Sequence, residues 1–391
     1  MRRRHIVLPA LAATAIVLPL VIGNGPAGAS TSTPRHALVV HGLNNPRQLY
    51  LDGNVLLIAE AGKGGTLASI PDPEGGGSQG IGHTGSISAV AYPASANNVS
   101  PNRIITGLLS AAAPDGSGAV GPDGVAVAGH RILVQETFFP APAIPSSRDA
   151  QRNGKLLIGT PYRNDLRVVA DIAGWEAAKN PDHQAVDSDP YAVLRVRDHT
   201  LVADAAGNDV LKVDRWGHLS TFHVFPNIVN ATCLAPELQQ PPPARPGCQF
   251  VPTSLAADEH GNVYVGGLGG LVPGQGRVVK LSADGKRVLK TWTGLTSVTG
   301  VAVNEHGVLY VSQLFAPEAA PVNPAIQGVL TRIDEHGRRN VDVPFPAGVV
   351  TDHRGNVYVS TFSIAPAGGL SDPGTGQHVP GTSGQVWRLH W

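Results

Sequence analysis

Glu60, Glu136 and Asp204 each close a short apolar run, and Asn208 and Asp209 follow soon after the last of them. Carboxylate and amide oxygens of this kind, gathered at one mouth, could hold Ca2+, which takes about six to eight oxygen ligands. An ion held there would polarise a substrate carbonyl. A second polar set, Asn44, Asn45, Arg47, Asp123, Asp189, Tyr191, Thr253 and Ser254, stands at the entrances of other apolar runs, where it could line a ligand-binding face. Asp and Asn also close turns and satisfy backbone groups at strand ends, so both readings stand at the level of sequence.

Other chemical patterns are weaker. His260, His306 and His336 recur as Glu-His-Gly, but each lies between Asp or Asn and Gly, which is turn chemistry. Gly76-Gly77-Ser78-Gln79-Gly80 fits G-x-S-x-G, yet a nucleophile elbow requires a strand, a turn and a helix, and this copy follows Pro71 and Pro73 in a glycine-rich stretch. H-E-x-x-H, an EF-hand loop and a cysteine cluster are all missing from the sequence. The sequence assigns no catalytic residue and requires no cofactor; a divalent cation, calcium, is the one it could accommodate.

The elements that carry these groups come from a repeat. Helix signals are scarce, while short β-branched runs bounded by Gly, Asp and Asn recur along the chain. Six units can be aligned, with first strands beginning at Pro46, Pro122, Pro190, Pro252, Val298 and Pro346. Second strands follow at Leu56-Leu57-Ile58, Ile132-Leu133-Val134, Leu201-Val202-Ala203, Val263-Tyr264-Val265, Leu309-Tyr310-Val311 and Val357-Tyr358-Val359. The sixth unit stops at Trp391 without a fourth strand, and a spare strand of matching form, Ala37 to Leu43, precedes the first unit. An N-terminal strand that completes the last sheet closes a ring and protects its edges. The expected fold is therefore all-β, a six-bladed β-propeller of four-stranded blades. A pair of β-sandwiches also has many short strands, but the six-fold register and the complementary termini favour the propeller.

Loop length then maps to a side. Connections after the first and third strands are mostly tight turns, with 91–102 as the long exception. Those after the second and fourth strands include 61–85, 136–153, 174–188, 226–250, 312–328 and 360–384. Binding groups concentrate on loops held by a rigid scaffold, so the long-loop face is the expected working face.

Hydrophobic residues make up 42% of the 391, with 29 basic and 29 acidic groups, which excludes disorder by charge and low hydropathy. Arg2, Arg3 and Arg4, an apolar run from Ile6 to Ile22, and Ala27-Gly28-Ala29 match a Sec-type signal peptide over 1–29. A linker over 30–35 and the propeller over 36–391 would follow. The mature chain would carry a small net negative charge, which argues against nucleic acid as a partner. It is expected to be secreted, monomeric and free of the membrane after cleavage. In an exported chain Cys233 and Cys248 would join as one disulfide within the 226–250 loop; metal ligation would need further Cys or His, which that loop lacks.

Gly42-Leu43-Asn44-Asn45-Pro46-Arg47, Ala59-Glu60-Ala61-Gly62, Thr84-Gly85-Ser86-Ile87, Val202-Ala203-Asp204-Ala205-Ala206-Gly207-Asn208-Asp209-Val210-Leu211 and Val251-Pro252-Thr253-Ser254 resemble the ScyD/ScyE family of secreted bacterial proteins. That family is similar to NHL-type propellers, and the resemblance spans about residues 36–391. The cysteine loop departs from its pattern. The resemblance implies an exported NHL-like propeller, associated by name with scytonemin pigment biosynthesis, and supplies no catalytic residues. Two functions follow as expectations. One is an extracellular binding or scaffolding module that engages a protein, peptide or glycan through its long-loop face. The alternative is a metal-dependent lactonase, hydrolase or lyase of the gluconolactonase or strictosidine-synthase-like kind.

Overall fold

Strands buried on both faces read as nearly continuous apolar runs rather than as alternating ones. Leu56 to Glu60, Leu201 to Asp204 and Val357 to Thr361 are such runs, buried throughout. The computed structural model describes residues 36–71, 77–140, 143–163, 165–239, 242–316, 328–364, 370–371, 378–379 and 383–391. The expected leader and linker, 1–35, lie outside them.

The strands form six antiparallel blades. Blade 1 contains Pro46–Asp52, Val55–Glu60, Ser78–Ala91 and Asn102–Ala112. Blade 2 contains Pro122–Ala128, Arg131–Glu136, Lys155–Gly159 and Arg167–Asp171. Blade 3 contains Pro190–Val196, His199–Asp204, Asp209–Val213 and Leu219–Val224. Blade 4 contains Pro252–Ala257, Val263–Gly267, Gly276–Leu281 and Val288–Leu295. Blade 5 contains Val298–Val303, Leu309–Gln313, Val329–Asp334 and Gly337–Asp342. Blade 6 contains Val349–Thr351, Asn356–Thr361 and Gly384–His390, and the N-terminal strand His36–Leu43 pairs with Gly384–His390 as its outermost member. The protein is a six-bladed β-propeller closed by its N-terminal strand.

Each pair of neighbouring blades has its own apolar core. Leu57, Ala59 and Ile87 of blade 1 meet Val125, Ile132 and Val134 of blade 2. Blades 5 and 6 meet through Tyr310, Leu330, Val357 and Val359. The ring closes where Leu49, Leu56 and Ile58 of blade 1 pack on Val39, Tyr358 and Val386 of blade 6. Gly348 N–H of blade 6 also donates to the Arg47 carbonyl of blade 1.

Two features of the long-loop face add to the repeat. Within 61–85 the third strand of blade 1 continues outward and Ala68–Pro71 pairs with it. This packing explains the glycines: a Cβ on Gly80 would stand 2.3 Å from the Gly65 carbonyl oxygen, and one on Gly64 would stand 2.4 Å from that of Gly80. Two short helices, Ser147–Arg152 and Ile172–Lys179, occupy the loops flanking the outer half of blade 2. The first is capped by Ser146 Oγ and the second by the Asp171 carboxylate. Ile172 anchors the second helix in the core between blades 2 and 3.

Candidate functional site

The first strand of each of blades 1 to 5 breaks register close to its starting residue. A bulge re-aims a side chain, and in register the residues at these bulges are Arg47, Asp123, Tyr191, Thr253 and Thr299. Arg47 Nε donates to Asp123 Oδ1 at 3.1 Å, and both side chains are about 4% exposed. The other two guanidinium nitrogens donate to the carbonyls of Ser363 and Ala119. Arg47 thus ties blade 1 to blade 2 and to the loops of blades 6 and 1. Burial pushes the Asp123 carboxyl up, Asp189 adds to that rise, and the Arg47 guanidinium opposes it. Tyr191 is buried, which raises its phenol beyond the usual range.

Gln48, which no sequence motif marks, extends the same network. Its Nε2 donates to the carbonyls of Thr253 and Thr299, both at 2.8 Å, and so connects blade 1 with blades 4 and 5. Thr253 Oγ1 donates to the Val298 carbonyl, and Thr299 Oγ1 to that of Pro346. Ser254 is fully buried in blade 4 and its hydroxyl has no partner. Asn45 is buried at the start of blade 1 and donates to the carbonyls of Gly62 and Gly116. Asp189 is half-buried and accepts from Thr137 Oγ1 at 2.7 Å.

Glu60, Glu136, Asp204 and Gln313 occupy one position in the repeat, the end of the second strand opposite the residue that starts the first. Each uses a side-chain oxygen on a main-chain amide. Glu60 accepts from Asn44 N–H at 2.7 Å, Glu136 from Leu109 at 3.1 Å, Asp204 from Asp189 at 2.7 Å and Gln313 from Thr296 at 2.6 Å. Three of these starting residues are prolines, which have no N–H of their own; Glu60, Asp204 and Gln313 pin the residues just before their blades, and Glu136 holds the fourth strand of blade 1. Glu60 is further held by Ser88 and by Arg103. Asn208 belongs to the same class of support. Its amide donates to the Phe225 carbonyl and accepts from Val251 N–H.

The five residues suited to an ion therefore lie in three different blades, and among the described residues no three His, Cys, Asp or Glu side chains are grouped as a metal ion would require. Only Asp204 and Asp209 come together. Asp204 accepts from Ser188 Oγ, Asp189 N–H and Gly207 N–H, whereas both oxygens of Asp209 are buried without a hydrogen-bond partner. Glu176, on the helix Ile172–Lys179, joins them. A Cβ on Gly207 would stand 3.2 Å from Asp204 Oδ2 and 3.3 Å from Glu176 Oε2. Burial first, and then the neighbouring carboxylates, push Glu176 up to about 8 and raise Asp209, while burial lifts Asp204 to about 7. Glu176 lies in a loop helix outside the repeat, so no periodic signal marks it.

Two smaller sites complete the picture. Glu136 Oε2 has no partner and faces a cavity of about 10 Å³ shared with Asp149 and Arg152, and burial raises this carboxyl to about 8. That is room for about one water. His83 binds Asp149 at the surface side, 3.1 Å away. On the opposite, short-hairpin face, a cleft of about 460 Å³ lies between the inner hairpins of blades 5 and 6, with His306, His353 and Arg354 on its walls. His260, His306 and His336 are exposed at hairpin tips, each beside only its own preceding glutamate at 3.5 to 3.7 Å. Cys233 and Cys248 are joined in a disulfide with Cα atoms 5.1 Å apart.

No family model matches the chain. No characterised protein matches it in sequence either. Among solved structures, virginiamycin B lyase from Staphylococcus aureus aligns at 11% identity and a TM-score of 0.34, over 61% of this chain and 63% of that one, less than two thirds of its length. A protein assigned by family as a gluconolactonase aligns at 11% identity and a TM-score of 0.45, over 93% of each chain. The PQQ-bound aldose sugar dehydrogenase from Streptomyces coelicolor aligns at 13% identity and a TM-score of 0.46, over 93% of this chain and 99% of that one. Likeness at this level carries no argument about chemistry, and the propeller stands on its own strand pairing.

Proposed function

We propose that this chain is an exported binding or scaffolding propeller, ScyD/ScyE-like, which acts as a monomer and engages a protein, peptide or glycan through its long-loop face. The observation that carries this reading is the use already made of the polar groups at the starts of the first strands and the ends of the second. Arg47 and Asp123 pair with each other, Gln48 spans to two carbonyls, and Glu60, Glu136 and Asp204 hold main-chain amides. An active site needs groups free to meet a substrate, whereas these build a stiff floor under long loops. A stiff floor carrying variable loops suits recognition.

The lactonase or hydrolase alternative requires at least three oxygens around one ion, and the grouping of the described carboxylates does not favour it. Thermal unfolding of residues 30–391 with EDTA, then with Ca2+, Mg2+ or Zn2+ restored, separates the two readings. A ligand bound only by the native state raises the melting temperature by mass action. The binding reading expects the same melting temperature in every condition and no turnover of lactones or esters. A large rise specific to one ion, with turnover of a lactone, would replace it with the enzymatic one.

A further inference from the structure

The outer hairpins of the short-hairpin face repeat with the blades. The hairpin between the third and fourth strands leans each time on the outermost strand of the preceding blade. In blade 1, Val99 exchanges hydrogen bonds with Val39 and His41 of the N-terminal strand. In blade 2, Tyr162 N–H donates to the Ile104 carbonyl at 2.6 Å. In blade 3, Gly217 approaches the Val169 carbonyl so closely that a Cβ would stand 2.4 Å from it.

Blades 1, 2 and 3 each place an aromatic ring at or beside this hairpin tip. Tyr92 is 67% exposed, Tyr162 70% and Trp216 68%, and among the described residues no other Phe, Tyr or Trp ring is more than half exposed. The lean itself does not require them. Blades 4 and 5 make the same lean with Asp284-Gly285-Lys286 and Glu335-His336-Gly337. Backbone conformation also works against the two tyrosines. Tyr92 and Tyr162 have φ of 51° and 61°, in the left-handed region where a bulky residue is an outlier, whereas the hairpins of blades 3, 4 and 5 place Gly217, Gly285 and Gly337 at their positive φ. Strained, exposed side chains that the fold does not need point to function.

We propose that this rim is a carbohydrate-binding track in which Tyr92, Tyr162 and Trp216 are stacking platforms for a polysaccharide. The three rings stand one to a blade and are set among polar groups. Asn102 Nδ2 donates to the Tyr162 hydroxyl at 2.6 Å, and the Arg215 guanidinium lies 4.0 Å over the Trp216 ring. A protein partner seeks a contiguous apolar centre sealed from water. Separated rings rimmed by donors suit a ligand with small apolar faces edged by hydroxyls, which describes a chain of sugar rings. The track lies on the face opposite the long loops, so it is independent of the ligand proposed for them.

The test uses residues 30–391 in native affinity electrophoresis with soluble α-glucan, β-glucan and galactomannan, and in sedimentation with chitin, cellulose and peptidoglycan sacculi. Retention by at least one polysaccharide is expected. Tyr92→Gly, Tyr162→Gly and Trp216→Ala should each weaken it by about tenfold. Tyr92→Gly should melt at the same temperature as the parent or higher, because glycine accepts its φ, and Tyr162→Gly should lose little, since it gives up only the exposed Asn102 hydrogen bond. Glycine variants that melt lower and bind as before would show that the rings serve packing and overturn the proposal. So would retention on none of the six polysaccharides, or retention lost only when the long-loop face is altered.

Discussion

Asp204 and Asp209 stand directly opposite each other across the hairpin that joins the second and third strands of blade 3, and each is about 1% exposed. Directly paired residues of an antiparallel ladder project to the same face, and like charges there are destabilising. Glu176 is the third carboxyl of this group, and Asp182 is a further contributor to the raised Asp209. Burial and mutual repulsion make protonation the less costly state.

Stability should therefore fall as pH rises. A carboxyl whose folded pKa is raised binds its proton more tightly in the native state, so its contribution is fully present below the ordinary carboxylate range, near pH 4, and is lost as pH climbs to the folded value. With Asp204 at about 7 and Glu176 at about 8, the melting temperature should decline from about pH 5 to about pH 8. Asp209→Asn removes one ionisable carboxyl and its repulsion of Asp204 and Glu176, so it should be better tolerated at pH 8 than at pH 5 and flatten the decline. Denaturant titrations of both proteins at pH 5 and pH 8 check this, and equal stability changes at the two pH values would contradict it.

Asp123→Ala should be far more damaging than a surface charge deletion. It leaves the Arg47 guanidinium buried with two carbonyl partners and without the carboxylate bonded to it, at a cost of about 3–5 kcal/mol. Replacing the pair together, as Arg47→Met with Asp123→Leu, should cost less than Asp123→Ala alone. Urea midpoints of the three variants decide the order.

Removal of His36–Leu43 would leave blade 6 with three strands and expose the Gly384–His390 edge. An uncovered edge is a template for pairing with another copy. A chain starting at residue 44 should elute as aggregate in gel filtration, and a synthetic peptide of residues 36–43 added during refolding should recover monomer.

Reduction of Cys233–Cys248 opens a loop of about 15 residues, for which loop-closure entropy gives about 3 kcal/mol. The disulfide belongs to a small cluster with Ile228, apart from the inter-blade cores. The loss should fall on the 226–250 segment, read as faster amide exchange there and unchanged exchange in Val263–Gly267. Uniformly faster exchange across blade 4 would show that the bridge supports the blade itself.

Much of the architecture was legible because a propeller repeats. Proline starts and buried second strands recur at Pro46, Pro122, Pro190 and Pro252, and one missing strand at Trp391 matches one spare strand at His36. The hairpin within 61–85 and the two rim helices were not legible, since insertions outside the repeat have no periodic copy to compare with. The candidate polar residues stand out by type and position, but type does not reveal use. A glutamate at the end of a second strand reads the same whether it awaits a ligand or holds Asn44 N–H, as Glu60 does. Sequence determined the ring, its closure, the disulfide and which face carries the long loops. Tertiary structure alone decided that Arg47 meets Asp123 76 residues away, that Gln48 spans to blades 4 and 5, and that Asp204, Asp209 and Glu176 share one buried space. The reason is physical: strand pattern is local and periodic, whereas the partner of a polar group depends on which blades the closed ring brings together.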